Sequence, residues 1–213
     1  MLARFVDLTL TLEHGTRALD LDPITFINKY RTIEKDGYNL SQVILSSHVA
    51  THIDVPRHFL ENGETLEQIP LDRLIGEACL LDFSHKKAKE RITADELSKY
   101  DNLIEPDSVV ILRTDWYKTF PSHEYGYDNP NVTTDAVEYL VSKKIKMLGV
   151  EAPTLNWEDN PRSHKILLGA GIILVEGLAY LDQLETDTFR FYAIPLKIKG
   201  LDGFPVRAFA EIL

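Results

Sequence analysis

Three of the seven histidines fall in one short segment, Ser47-His48-Val49-Ala50-Thr51-His52-Ile53-Asp54-Val55-Pro56-Arg57-His58-Phe59, with a carboxylate between the second and the third. Imidazole and carboxylate together suit Zn, Mn, Fe or Ni, and a neutral histidine coordinates at neutral pH without first losing a proton. His48 and His52 stand four apart, so one helical turn would stack them, whereas His52 and Asp54 stand two apart, so an extended backbone would put both on one side. Pro56 excludes a regular helix interior and biases Val55 toward an extended conformation. The ligand candidates are therefore expected on a loop that follows a strand at Ser41 to Leu45. On residue types alone, metal ligation and ordinary hydrogen-bonded histidines both stay open.

Elements able to position such a site recur along the chain. Runs rich in β-branched and aliphatic residues predict strands at Phe5 to Leu10, Ser41 to Leu45, Ala78 to Phe83, Ser108 to Leu112, Met147 to Val150, Gly171 to Val175 and Phe189 to Ile198. A helix is predicted from an N-cap at Thr133 or Thr134, with apolar positions at Ala136, Val137, Leu140 and Leu140's neighbour Val141. Thr93 with Glu96 three residues later predicts a second helix start. The stretch from Gly171 to Val206 offers strands with little helix between them, which favours a mixed sheet over a purely parallel one. No repeat and no Gly/Ser/Pro-rich linker divides the chain, so residues 1–213 read as one α/β domain.

Composition narrows the partners. The 213 residues carry 23 Lys and Arg against 33 Asp and Glu, a net charge of −10, which is the wrong sign for a broad phosphate-binding surface. Nucleic acid is not expected as a partner. The opening stretch reaches a carboxylate at Asp7 before any apolar run of leader length, and no uncharged run approaches the roughly 18 residues of a membrane span, so neither export nor a membrane partner is expected. A single cysteine, Cys79, cannot form an internal disulfide and sits in the apolar run Ala78-Cys79-Leu80-Leu81. It is expected to be buried and inert, in a cytoplasmic protein. The sequons at Asn39 and Asn131 are then chance matches.

The segment from His48 to His58 resembles the H-x-G-T-H-x-D-x-P-x-H signature of the cyclase-like metal-dependent hydrolases, which include bacterial kynurenine formamidase and isatin hydrolase. Each position matches except Ala50, where glycine is usual. The resemblance continues through Gly63-Glu64-Thr65, Ile69-Pro70-Leu71, Val110 to Thr114, Ser163-His164 with Leu167 to Gly171, Val175-Glu176-Gly177-Leu178, Ile194-Pro195-Leu196, Asp202-Gly203 and Pro205-Val206-Arg207, in the family's order. It implies a swivelling β/β/α domain, a mixed sheet partly curled into a barrel with helices outside. It further implies that His48, His52 and Asp54 bind a divalent metal, with His164 and Glu176 ligating a second one, zinc or manganese. Asp54 would bridge the two. Paired metals about 3.5 to 4 Å apart polarise a carbonyl and acidify bound water. His58 matches the family's proton donor and acceptor, with a further metal ligand as its other reading. A homo-oligomer, dimer or tetramer, is implied as well.

The activity so implied is hydrolysis of a small amide, N-formyl or cyclic. Ring closure or dehydration on the same metals, and a metal-binding oligomer without turnover, are the alternatives. Thr51 is expected to orient neighbouring ligands rather than to react. Arg113 and Arg207 are expected in structural ion pairs before any contact with an anionic substrate. Two departures bear on the substrate. The family's Trp-Pro-Gly-Asp-like stretch, whose tryptophan packs on an aromatic substrate, is replaced by His14-Gly15-Thr16-Arg17-Ala18-Leu19-Asp20-Leu21-Asp22-Pro23, which argues against N-formylkynurenine. Glu151 stands where Asp is frequent and Asp115 where Gly is, changes expected to reshape the pocket.

Overall fold

The computed structural model describes residues 3–212; Met1 and Leu2 of the opening stretch, and Leu213, lie outside the described residues. In chain order the elements are β1 (Arg4–Asp7), β2 (Phe26–Arg31), α1 (Ile33–Asp36), β3 (Leu40–Ile44), β4 (His52–Asp54), β5 (Ile75–Asp82), β6 (Arg91–Ile92), α2 (Ala94–Ser98), β7 (Val109–Arg113), α3 (His123–Tyr127), β8 (Asn131–Val132), α4 (Thr134–Ser142), β9 (Met147–Val150), α5 (Asn160–Gly169), β10 (Ile173–Glu176), β11 (Thr188–Pro195) and β12 (Gly203–Ile212). The main sheet runs β1-β12-β11-β5-β7-β9-β10-β4, and β4 also pairs with β12. That last pairing closes seven strands into a barrel and leaves β1 as an outer appendage. Pairs β5·β7, β7·β9 and β9·β10 are parallel, and the others in the ring are antiparallel. The mixed α/β sheet expected from the sequence is therefore present, and its curl is complete.

Period-two alternation explains both cores. Ala78 and Leu80, Val109 and Ile111, and Ile173 and Val175 belong to the buried cluster that fills the barrel with Ile53, Phe191 and Ala208. Their neighbours Cys79 and Leu81, Val110 and Leu112, and Leu174 face the other way, onto Leu97 of α2, Ala136, Val137 and Leu140 of α4, and Leu167 and Leu168 of α5. Both helix starts read from the sequence are found: Thr93 and Glu96 form a reciprocal capping box, and Thr133 is the N-cap of α4. Cys79 is buried, and burial pushes its thiol up to about 11.

Several elements differ from the expectation. The Ser41 to Leu45 run forms a strand, but in a separate hairpin with β2 rather than in the main sheet. The strand β12, ten residues long, is absent from the sequence reading although Val206, Ala208 and Ala210 alternate as buried positions. Helix α5 escapes periodicity because its first half, Asn160-Pro161-Arg162-Ser163-His164-Lys165, is polar and its apolar residues gather at the end.

Candidate metal centre

His52 and Asp54 lie on strand β4, not on a loop; only His48 occupies the loop before it. The correction has a simple cause. Pro56 stops helix but does not stop a strand that ends two residues earlier, and β4 is so short that no alternation can reveal it. Because Ile53 points into the barrel, His52 and Asp54 share the opposite face, beneath the helices. On the neighbouring strand Glu176 is the cross-strand partner of His52, and Leu174 that of Asp54, so Glu176 emerges on the same face. Helix α5 lowers His164 onto it from above. Strand β4 and, more than a hundred residues later, α5 and β10 thus bring four ligand candidates together, and the loop adds His48.

Distances within the cluster are short. His52 Nε2 lies 3.4 Å from Asp54 Oδ1 and 3.4 Å from Glu176 Oε2. His164 Nε2 lies 3.6 Å from Asp54 Oδ2 and 3.5 Å from Glu176 Oε1. Each of these imidazoles has its Nδ1 on a backbone carbonyl, that of Ala50 for His52 at 2.9 Å and that of Asn160 for His164 at 3.0 Å. Donation there fixes the tautomer and aims the Nε2 lone pair inward. His52 Nε2, Asp54 Oδ2 and Glu176 Oε1 are buried with no hydrogen-bond partner. Buried acceptors left bare in this way fit a cation held among them. Carboxylate oxygens and imidazole nitrogens of this kind suit a divalent metal.

The electrostatics agree. Burial alone would depress the imidazole pKa values, but the Asp54 charge and the bonds to Asp202 and Asp54 raise His48 to about 9. The nearby carboxylates of Asp54 and Glu176 outweigh burial at His52 and His164 and raise both to about 10. Burial opposes ionisation of Asp54, yet His48 and the surrounding imidazoles hold its carboxyl well below the usual carboxylate range. Loading such a site with a cation releases protons.

His58 stands beside the cluster rather than in its centre. Its ring stacks on His48 at 3.8 Å, and its Nδ1 lies 3.3 Å from Asp202 Oδ2. The same Asp202 oxygen lies 2.8 Å from His48 Nε2, while His48 Nδ1 lies 2.7 Å from Asp54 Oδ1. Asp202 therefore orients two imidazoles at once, and the two histidine bonds keep its carboxyl far below its ordinary value. The sequence reading assigned it no role; its place one residue before Gly203, the β12 partner of Asp54, is visible only in the closed barrel. Gly203 itself leaves room for His48, whose Cε1 would lie 2.7 Å from a Cβ added there. Asp202→Ala is expected to lower kcat/KM or metal affinity roughly ten- to hundredfold, and Asp202→Asn less, in steady-state assays of metal-loaded protein with unchanged melting behaviour as the control.

Residues around the cluster hold its backbone. Thr51 Oγ1 accepts from the Leu10 amide at 2.8 Å and donates to the Gly177 carbonyl, joining the loop to the segment after Glu176. Ala50 adopts φ +52, so the alanine keeps a left-handed conformation of the kind glycine takes freely. Arg207 is a forked partner of Asp7 at 2.9 and 2.7 Å, and Arg113 pairs with Asp115 at 2.7 Å. Both arginines are thus in structural ion pairs.

The cavity in front of the cluster holds about 250 Å³ and is bordered by His48, His52, His58, His164 and Glu176 on one side. Neither Asp115 nor Glu151 borders it. Glu151 is buried at the end of β9, where Oε2 accepts from the Thr114 amide and hydroxyl, each at 2.7 Å, and from the Trp116 amide at 3.0 Å. Its Oε1 has no partner. Burial outweighs these bonds and pushes its carboxyl up to about 7. A raised carboxylate pKa contributes stability that is complete below the ordinary value of 4.5 and is lost as pH rises through about 7. Urea unfolding at pH 5 and pH 8 is expected to show wild type losing up to roughly 3 kcal/mol relative to Glu151→Gln across that interval.

Comparison with known proteins places this geometry. Residues 6–156 match the family model described as "Putative cyclase". A kynurenine formamidase from Bacillus thuringiensis subsp. konkukian is 28% identical over 188 residues, covering 87% of this chain and 86% of that protein. An isatin hydrolase solved with the product analogue thioisatinate superposes with a TM-score of 0.90 at 27% identity, covering 99% of this chain and 92% of the other. A predicted metal-dependent hydrolase from Bacillus stearothermophilus superposes with a TM-score of 0.81 at 28% identity, covering 99% of both chains. With more than half of its length matched by the model, the chain belongs to this cyclase family.

Proposed function

We propose that residues 1–213 form one domain that hydrolyses a non-peptide amide C–N bond in a small molecule, N-formyl or cyclic, with a divalent metal, zinc or manganese. The observation that carries this reading is the convergence of His52, Asp54, His164 and Glu176 with three buried donor atoms left unpartnered. These four residues and His48 would hold one or two metal ions. A bound divalent metal supplies Lewis acidity, which polarises a carbonyl and makes water acidic enough to react near neutral pH. The protein's own residues do the rest. Asp202 accepts from His58 Nδ1 and so leaves Nε2 free as the base. His58 then takes a proton from water at Nε2 and returns it to the departing nitrogen. The formamidase and isatin hydrolase relatives support an amide as substrate.

The test pairs elemental analysis with assays of formanilide, N-formylkynurenine and a fused five-membered lactam before and after chelation. Turnover that disappears with the metal and returns on its re-addition is expected. Full turnover in chelated protein overturns the reading, and a product formed without uptake of solvent water turns it into ring closure.

The same reading includes a homo-oligomer in the cytoplasm. The hairpin of β2 and β3 exposes Tyr30, Ile33, Tyr38, Val43 and Ile44, each more than half accessible. A two-stranded hairpin is marginal by itself, and an apolar patch of this kind marks an interface. Light scattering at micromolar concentration is expected to give a dimer or tetramer; a monomer overturns it. Buried, unpaired Cys79 supports a reducing compartment, and no helix among the described residues is long and apolar enough to cross a membrane.

A further inference from the structure

The stretch His14 to Pro23 brings no tryptophan to the cavity, yet a tryptophan is there. Trp157, from the loop between β9 and α5, borders the cavity together with Leu19, Asp22, Pro153 and Asn160. Its orientation is fixed with unusual thoroughness for a half-buried side chain. The indole Nε1–H donates to Asn129 Oδ1 at 2.6 Å, and its backbone amide donates to Asn131 Oδ1 at 2.8 Å. Both asparagines are buried. Asn129 is itself locked, since its amide group donates to the carbonyls of Pro130 and Thr154. Behind the indole stacks Tyr127, with centroids 5.4 Å apart and planes inclined by 23°, and His123 stacks in turn on Tyr127 at 4.5 Å. Tyr127 does not border the cavity. One face of the indole is thus backed by a ring, and the ring surface that remains is offered to whatever enters.

A half-buried indole needs no such support merely to fill space. Preorganised aromatic surfaces bind flat rings, because offset stacking adds attraction beyond the area buried and little side-chain entropy is lost. We propose that Trp157 is the specificity-determining wall of the cavity, carrying the ring of a planar aryl amide whose carbonyl reaches the histidine and carboxylate cluster. Charge sharpens the class. Asp22 is the carboxylate on the lining outside the ligand cluster, and no lysine or arginine borders the cavity among the described residues. A ring without a carboxylate of its own is therefore favoured. The inference rests on the amide hydrolase reading.

Two measurements test it. In metal-loaded protein, kcat/KM is compared for formanilide, N-cyclohexylformamide and 2-formamidobenzoate. Formanilide is expected to be preferred over both, and the formanilide to cyclohexyl ratio is expected to fall about tenfold in Trp157→Ala, mostly through KM, with Trp157→Phe close to wild type. A ratio that does not change in Trp157→Ala, or 2-formamidobenzoate turned over as well as formanilide, overturns the proposal. Binding provides the independent readout. The chain has two tryptophans, Trp157 and the buried Trp116. Acetanilide is expected to quench the wild-type emission more than N-cyclohexylacetamide does, and Trp157→Phe to lose the difference. Equal quenching by both probes overturns the wall. Absence of turnover with all three formamides, while the quenching difference persists, would instead defeat the hydrolase reading and leave the wall in place.

Discussion

Asp54→Ala is expected to lose metal and to lower kcat/KM for the amide by at least about a thousandfold, since the Lewis-acid contribution it anchors is worth several kcal/mol. Asp54 is fully buried and stands within 3.6 Å of His48, His52 and His164. No other residue of the cluster touches as many of its members. Removing it therefore takes away the carboxylate that these three histidines share. It also leaves raised imidazoles without their counter-charge, and an uncompensated buried charge costs about 3 to 5 kcal/mol. Asp54→Asn separates the two effects, because it keeps the shape while removing the charge. Elemental analysis, assay and thermal melting on each variant provide the check. Metal content and turnover at wild-type levels in either would contradict the assignment of the cluster.

Gly177→Ala is the second large effect. Gly177 has φ +67, and a Cβ there would lie 2.2 Å from the Ala50 carbonyl oxygen, a backbone atom that cannot swing aside. That oxygen is the acceptor of His52 Nδ1, and the carbonyl of Gly177 accepts from Thr51. The substitution thus combines backbone strain with displacement of a ligand's support. A loss of about 2 to 4 kcal/mol is expected, which for a chain of this size lowers the melting temperature by roughly 4 to 16 °C. Metal affinity falls with it. A melting temperature within a degree of wild type, with full metal content, would show that the backbone moves aside at no cost.

The site was legible where chemistry is dense in sequence and obscure where the barrel does the assembling. His48, His52, Asp54 and His58 declare themselves by clustering, and the two-residue spacing of His52 and Asp54 correctly implies a shared face on extended backbone. His164 and Glu176 carry no such signal; each is a lone ligand candidate in its segment, placed by the resemblance and brought into position by α5 and β10. Asp202 is hidden for the same reason. Trp157 carries no signal in sequence because the wall it forms depends on Asn129 and Tyr127, about thirty residues before it. Within the fold, the buried run from Ala78 in β5 was plain, whereas β4 is too short for a pattern, and two of the buried positions of β12 are alanines, Ala208 and Ala210, residues depleted in strands.

Strand β4 closes the barrel, and its partners β10 and β12 lie more than a hundred residues downstream. At synthesis rates of about 5 to 20 residues per second, β4 leaves the ribosome roughly 7 to 30 s before Gly203–Ile212 exists to pair with it. Both of its edges are bare until β10 emerges, and one stays bare until β12 follows, a condition that invites pairing with other chains. Three residues of length, a histidine and an aspartate among them, and Pro56 close behind make it a poor template for a stranger's strand. The side chains suited to holding a metal in the finished protein thus also guard the nascent chain against aggregation before the barrel can close.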